Sequence, residues 1–151
     1  MTKGDGPILH CLCRGVEVRL SLTPTTVGVC HCAMCRMWTS GPWMAVQAPG
    51  SIISGDTLSV YQSSEFAERG FCQRCGSHIF HRPLLGPELA ISAGLLPNAT
   101  LTITREIFHD AKPVWYRFDA NSRKRGTFSM MLEWAPKLAL RTIAARFRAP
   151  R

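Results

Sequence analysis

Seven cysteines carry the chemical signal of this sequence. They fall in three clusters: Cys11-Leu12-Cys13, Cys30-His31-Cys32-Ala33-Met34-Cys35 and Cys72-Gln73-Arg74-Cys75, the last followed by Gly76. A Cys-x-x-Cys turn aims two sulfurs at one tetrahedral zinc about 2.3 Å away. Gly76 admits the positive φ that such turns often need. Cys-x-Cys works differently. On an extended segment, residues i and i+2 point to one face, so both sulfurs reach the same ion. Cys30 and Cys32 share a face in this way, and Cys35 can return from the turn that follows. Buried free cysteines are common one at a time, but here all seven stand in ligand spacings. The odd count argues against a plain disulfide framework, and a redox Cys-x-x-Cys would need a βαβ context that this sequence lacks.

Two Zn²⁺ ions are therefore expected, with the seven ligands divided as four plus three. Spacing permits two divisions. Cys32 and Cys35 with Cys72 and Cys75 would close an ordinary site and leave Cys11, Cys13 and Cys30 over. Alternatively, Cys11, Cys13, Cys72 and Cys75 would close one site and leave Cys30, Cys32 and Cys35 for the other. The compactness of that triad favours the second division. Three protein sulfurs leave one tetrahedral position open, the usual arrangement of catalytic zinc. Three thiolates also reduce the Lewis acidity of the ion. Such a site favours holding an incoming thiol as thiolate over activating water.

Several side chains flank the triad. His31 points away from Cys30 and Cys32 if the segment is extended, which suits a supporting histidine better than a general base. His78, His81 and His109 are weaker candidates, with ordinary packing as the simpler role. Trp38 and Trp43 are expected in core packing, with a wall of the open site as the alternative. Arg36 has two equal readings: a partner for a substrate carboxylate, or a solvated arginine.

The elements that must position these groups are mostly strands. Val16 to Leu22 alternates apolar and polar residues with period two. Further strands are expected at Trp43–Val46, Leu58–Tyr61, His78–His81, Leu89–Ser92 and Leu101–Ile107. Turn signals separate them at Gly41-Pro42, Pro49-Gly50, Ser54-Gly55-Asp56, Gly86-Pro87 and Pro97-Asn98. One helix is expected, Pro136–Phe147, with Leu140, Ile143, Ala144 and Phe147 on one stripe. The fold class is thus mainly β, with small antiparallel sheets and a short C-terminal helix.

Taken together, these residues resemble a known family, the glutathione-dependent formaldehyde-activating enzymes, which include centromere protein V. The resemblance rests on Cys11-Leu-Cys13 leading into an alternating strand, Cys30-His-Cys32-x-x-Cys35-Arg36, and Ser63-Ser64 followed by Arg69-Gly-Phe-Cys72-x-x-Cys75-Gly76-Ser77. Ile107-Phe-His109-Asp110-Ala-Lys112-Pro113-x-Trp115 completes it. It implies a β-tent of small antiparallel sheets meeting at a structural zinc held by Cys11, Cys13, Cys72 and Cys75. It implies a second, catalytic zinc on Cys30, Cys32 and Cys35. The implied reaction is a carbon–sulfur lyase run in reverse, adding glutathione to formaldehyde to give S-hydroxymethylglutathione. One departure stands out: the family commonly has Gly after the second cysteine, and here Arg14 precedes Gly15.

Length and charge bound the rest. The chain has 151 residues, enough for one core. The resemblance divides it into a zinc-binding domain over residues 1–120 and a basic segment over 121–151, packed on that domain or extending it. That segment carries eight Lys/Arg against the single acid Glu133, while residues 1–120 carry ten against nine. A solvated surface is its simplest reading, and nucleic-acid contact the alternative. No apolar run is long enough to span a bilayer. Met1–Pro7 lacks the apolar core of a signal peptide, so a cytoplasmic protein with reduced thiols is expected. Three readings follow in order: a thiol–aldehyde lyase, a non-catalytic zinc-stapled module acting through its basic end, and a reductase of the methionine sulfoxide reductase B type. The last needs a free reactive cysteine, and no cysteine is left over.

Overall fold

The computed structural model describes residues 6–96, 100–119 and 121–148. The expected turn at Pro97-Asn98, most of the Met1–Pro7 segment and the Phe147 side chain lie outside the described parts. In chain order the strands are β1 (Ile8–His10), β2 (Glu17–Arg19), β3 (Thr26–Cys30), β4 (Trp43–Gln47), β5 (Ile52–Ser54), β6 (Leu58–Ser64), β7 (Ala67–Cys72), β8 (His78–Pro83), β9 (Ala90–Ser92), β10 (Thr102–Ile107) and β11 (Arg123–Arg125). The helices are α1 (Ala33–Thr39) and α2 (Thr127–Arg148). The mainly β expectation holds, and each expected strand has a counterpart.

The alternation around β2 works as read. Val16, Val18 and Leu20 are fully buried, while Glu17 and Arg19 lie between them at the surface of a three-stranded antiparallel sheet ordered β1-β2-β5. The second sheet runs β11-β10-β3-β4-β9-β8-β7-β6. Its pairs are antiparallel except at one end, where β10 lies parallel to both β3 and β11. The main core between the sheets holds Val16, Val18, Leu20, Val46, Ile79 and Ile91 together with Cys11 and Cys72. A smaller core forms around Cys30, Cys35, Trp43, Ala45 and Ala90. Each cysteine cluster is thus seated in its own packed environment.

The larger sheet curls. β3 and β7 are four steps apart in its strand order, which in a flat sheet would separate them by about 19 Å. Arg69 of β7 nonetheless reaches Cys35 of α1, the helix that leaves the end of β3. Trp38 of α1 stacks on Tyr61 of β6 with ring centroids 5.9 Å apart, so the helix lies against the curled half.

α1 is short and was not expected. Its N-cap is Cys32, whose sulfur accepts a 3.4 Å hydrogen bond from Cys35 N, and it ends at Ser40 in the left-handed region. A thiol at the N-cap gives none of the usual Ser, Thr, Asp or Asn signal. α2 also departs from expectation: it begins nine residues before Pro136, which lies inside it. Its cap comes from elsewhere in the chain. Asp110 Oδ1 accepts hydrogen bonds from Thr127 N at 2.7 Å and Thr127 Oγ1 at 2.9 Å, a donor set that keeps Asp110 ionised below the usual carboxylate range. Pro136 has no N–H to give to the Leu132 carbonyl, so it weakens the helix without ending it.

Gly70 shows how tightly β7 packs on β8. A Cβ there would fall inside the ring of Phe80, whereas one at Gly28 of β3 would meet only Ala45 O at 3.9 Å. Gly70→Ala is expected to destabilise the protein by about 1–3 kcal/mol, as overpacking does. Gly28→Ala should be neutral or slightly stabilising. Chemical denaturation of the two variants beside the parent measures the difference.

Candidate metal centres

The chain gathers its cysteines into two groups. Sulfurs of Cys11, Cys13, Cys72 and Cys75 all lie within 4.8 Å of one another, and so do those of Cys30, Cys32 and Cys35. The alternative division, with Cys32 and Cys35 joining Cys72 and Cys75, is not what the fold brings together.

The four-sulfur group joins the turn after β1 to the turn after β7. Arg14 N donates to Cys11 O at 2.9 Å, which closes the first turn, and Gly76 N donates to Cys72 O at 2.8 Å, which closes the second. Gly76 takes φ +73°, as the turn requires. Arg14 takes φ +63°, so an arginine occupies a left-handed position that glycine fills more readily. That is the physical meaning of the departure noted above.

The donor set and its spacing fit zinc. A tetrahedral ion with 2.3 Å bonds to sulfur requires sulfurs about 3.7–3.8 Å apart. Cys11 and Cys13 sulfurs are 3.7 Å apart, and those of Cys13 and Cys72 are 3.6 Å apart. Donors also point at the sulfurs. Val16 N lies 3.2 Å from Cys11 Sγ, Thr57 Oγ1 3.2 Å from Cys72 Sγ, and Ser77 Oγ 3.2 Å from Cys75 Sγ. The Ser77 hydroxyl pulls the Cys75 thiol down to about 5, and the Thr57 hydroxyl lowers Cys72. Such donors favour the thiolate, the form that binds metal.

The triad is built from one strand end and one helix start. Cys30 ends β3, in register with Trp43 on one side and Ile107 on the other. Cys32 caps α1, and Cys35 sits in its first turn. Cys30 and Cys35 are buried, while Cys32 is half-buried. Hydrogen bonding from Cys30 and then Cys35 draws the Cys32 thiol far below its ordinary value, and the same contacts push Cys30 up. Three sulfurs this close ionise together only when they share a cation.

Arg69 supplies part of that positive charge. It is 3% exposed, and its Nη2 lies 3.4 Å from Cys35 Sγ. Its guanidinium sits 5.8 Å from the Trp38 ring centroid and 5.9 Å from that of Trp43. Among the described residues, no carboxylate lies within ion-pair distance of it. Its Nη1 is buried without a hydrogen-bond partner. A buried charge needs a counter-charge, and the sulfur triad is the anionic group in reach. Both tryptophans flank Arg69, and Trp43 also packs in the small core with Cys30 and Cys35. Trp43 Nε1 donates to Ser92 Oγ at 3.1 Å, which fixes its ring. His78 lies against Trp38 and His81 against Trp43. Burial lowers both histidines, His81 to about 4, so they are neutral near pH 7.

His31 is a supporting residue, as its orientation suggested. It is fully buried, with Nε2 2.9 Å from Glu106 Oε2 and Nδ1 2.8 Å from Tyr116 Oη. Glu106 is buried, which opposes ionisation, but hydrogen bonds from Ser122 and His31 and the nearby Lys124 hold it below the usual carboxylate range. As a carboxylate it only accepts, so Nε2 carries the imidazole proton and Nδ1 accepts from the tyrosine. Burial keeps His31 below its ordinary value and therefore neutral. This network fixes the segment between Cys30 and Cys32 from behind. His109 lies at its edge, 3.9 Å from Glu106 Oε2. Arg36 Nε donates to His31 O at 3.0 Å. With Ala33, Met37, Ser40, Gly41 and Trp115, Arg36 lines an open groove of about 450 Å³ along α1. The groove does not include the sulfurs.

Sequence reasoning missed Glu106, Tyr116 and the role of Arg69. Glu106 gave no signal: with Thr102 and Thr104 it holds the polar positions of a strand whose Leu101, Ile103 and Ile107 alternate with them. Arg69 stood inside the quoted motif, but nothing local tells a buried arginine from a surface one.

The glutathione-dependent formaldehyde-activating enzyme family model matches residues 8–116. The chain belongs to this family. The match spans both cysteine groups, Arg69 and the His31 network. An uncharacterized lyase of Schizosaccharomyces pombe is 32% identical to the chain over 114 residues, covering 72% of this chain and 82% of the relative. A crystal structure of a Rhodobacter sphaeroides protein superposes with a TM-score of 0.52 at 23% identity, covering 62% of this chain and 90% of that one. That likeness supports the fold alone. Among the described residues, no helix is long and apolar enough to cross a membrane.

Two variants test the four-sulfur group. Cys72→Ser is expected to lose one zinc and to be unfolded or insoluble, because an ion held by these four sulfurs would contribute directly to the folding free energy. Metal analysis with circular dichroism reads this. Arg14→Gly should raise stability by about 1 kcal/mol by relieving the left-handed φ, measured as a higher melting temperature at unchanged zinc content.

Proposed function

We propose that this family member is a carbon–sulfur lyase-type enzyme that joins a small thiol to an aldehyde, with glutathione and formaldehyde as its substrates. S-hydroxymethylglutathione is the product. In this reading Cys11, Cys13, Cys72 and Cys75 hold a structural zinc, and Cys30, Cys32 and Cys35 hold a catalytic one. The observation that carries the proposal is the triad itself. Three sulfurs converge, and no fourth His, Cys, Asp or Glu ligand atom among the described residues joins them. Zinc bound there supplies an open position at which a substrate thiol is held as its thiolate.

The protein's own residues account for the other requirements. In the reaction the thiol sulfur forms a bond to the carbonyl carbon, the carbonyl π bond breaks, and the oxygen takes the proton the thiol gave up. Negative charge therefore develops on oxygen beside the sulfurs. Arg69 Nη1 is a buried charged donor without a hydrogen-bond partner, set between Trp38 and Trp43. A donor preorganised for the developing oxyanion is the usual strongest element of such sites. Trp38 and Trp43 exclude water, and the His31–Glu106–Tyr116 chain keeps Cys30 and Cys32 aimed at one point. Arg36 stands beside an open groove, where it can meet a carboxylate of a tripeptide thiol.

The basic end gives the binding-module reading less support. Lys124, Arg125, Lys137 and Arg141 are drawn into ion pairs with Glu106, Glu133 and Glu88. Lys124 and Arg141 tie the segment to the body through Glu106 and Glu88, while Arg125 and Lys137 pair with Glu133 inside it.

The test is exchange NMR between formaldehyde, glutathione and their adduct, with the uncatalysed rate subtracted. The parent protein should accelerate exchange. Cys32→Ser should stay folded, lose one zinc and fall to the buffer rate. Arg69→Met should keep the fold and lose about 100-fold or more of the acceleration, the cost of removing an oxyanion donor. A parent rate equal to buffer would rule out these substrates.

A further inference from the structure

β8 carries a bulge that brings two histidines onto one face of the large sheet. Its register with β7 pairs Gly70 with Phe80 and Phe71 with His78, which leaves Ile79 over. Residues three apart on a regular strand face opposite sides of a sheet. The extra residue undoes that alternation. His78 and His81 therefore both share the face of their partners on β7, Phe71 and Arg69. The side-chain contacts agree. The Phe71 ring, the His78 ring and the Arg69 guanidinium lie 5.6, 5.3 and 5.8 Å from the Trp38 ring centroid.

His81 stands at the middle of a row across three strands. It pairs with Arg69 of β7 on one side and with Ala90 of β9 on the other. Both neighbours meet the triad. Arg69 Nη2 lies 3.4 Å from Cys35 Sγ, and Ala90 packs in the small core with Cys30 and Cys35. The His81 ring lies against Trp43 of the same core, with centroids 5.9 Å apart. It is half-buried. Among the described residues, the histidine ring held by hydrogen bonds is that of His31, and the ring of His81 makes none. Packing alone is a poor reason for an imidazole there. A polar ring taken from water without a partner costs free energy that a phenyl ring does not. Burial and then the charge of Arg69 lower His81 to about 4, so the ring is neutral with one N–H to give. The Cys32 thiolate acts on His81 and is not among the influences on His78, which makes His81 the nearer of the two to the triad.

We propose that His81 and Arg69 together form a two-donor site for a small oxyanion beside the sulfur triad, in which the imidazole N–H is the second donor to the oxygen that Arg69 Nη1 binds. For catalysis this rests on the thiol–aldehyde reading above. As the carbon–sulfur bond forms, the carbonyl π pair moves onto oxygen, and the two donors share that charge until the oxygen takes the proton the thiol gave up. A neutral second donor suits the place, because another cation would be repelled by Arg69. Directly opposite residues of adjacent strands have Cα atoms about 4.5–5.5 Å apart. Register therefore keeps the two donors together before the oxygen arrives, the preorganisation that makes such sites effective. The ligand class is a one-carbon group with negative charge on oxygen: an alkoxide in the reaction, a small carboxylate otherwise.

Formate is the probe, since it offers a one-carbon oxyanion and takes no part in the exchange reaction. Two of the four tryptophans flank Arg69, so tryptophan fluorescence of the full-length zinc-loaded protein, titrated with sodium formate at constant ionic strength, reads binding. His81→Gln keeps an N–H donor, whereas His81→Phe keeps the ring packing and removes the donor. With zinc content and circular dichroism unchanged, His81→Phe should bind formate about tenfold or more weakly, the cost of a lost hydrogen bond to a charged group. His81→Gln should keep most of the affinity. Exchange between formaldehyde, glutathione and their adduct should fall in the same order, in kcat rather than KM. A packing role gives the reverse order, with His81→Phe like the parent and His81→Gln impaired, and overturns the proposal. So does a parent protein that binds no formate. Equal formate binding by parent and His81→Phe also overturns it, because the zinc alone would then hold the anion. Formate binding that depends on His81 in a protein without exchange activity supports this site and ends the formaldehyde reading instead.

Discussion

Four sulfurs from two turns, brought together across some sixty residues of chain, meet at separations near 3.7 Å. Thiolates at that distance repel strongly unless a cation lies among them, and the same contact then becomes a clasp. The two halves of the fold depend on it. β1 and β2 belong to the small sheet, β7 and β8 to the large one, and the turns bearing the cysteines are where the sheets meet. Cys11 and Cys72 are also members of the main core, so the clasp and the hydrophobic packing form one unit. The Arg14 departure belongs here too: the turn keeps its left-handed residue although the side chain there is unfavourable.

The same electrostatic constraint, left incomplete, organises the second group. Three thiolates with one Zn²⁺ would keep a net negative charge. The fold places a buried arginine, Arg69, between two tryptophans beside them, on a strand four steps away in the sheet. The curl of the large sheet is what brings it there. Behind the triad, a neutral histidine bonded to a carboxylate and a phenol holds the cysteine segment in place without adding charge. In the proposed reaction, rigid support on one side and the free Nη1 of Arg69 on the other would polarise a carbonyl held between them.

How much of this was legible in the sequence depended on range. Cysteine spacing is local, and the turn geometry it demands is carried by neighbours such as Gly76, so both groups could be read. The alternation at Val16, Val18 and Leu20 is local as well. What failed was non-local. The cap of α2 is Asp110, seventeen residues upstream, so Pro136 was the strongest start signal in view and it misplaced the helix. The α1 cap is a thiol committed to the triad, a residue type outside the capping vocabulary. Glu106 meets His31 across seventy-five residues, and the parallel pairing of β10 with β3 that allows this leaves no mark on periodicity. Arg69 looked like any charged residue in a strand. Functional groups broke local rules where the chemistry required it, as expected of sites.

The central claim is that one centre is closed by protein sulfur and the other is open to a thiol. X-ray absorption at the zinc edge counts sulfur neighbours directly. Seven cysteines shared by two ions give an average of about 3.5 sulfurs per zinc, with a lighter atom completing the open site. Saturating glutathione should raise that average to about four and remove the lighter neighbour. A sulfur count that starts at four with one zinc per chain, or one that glutathione leaves unchanged, would contradict the account.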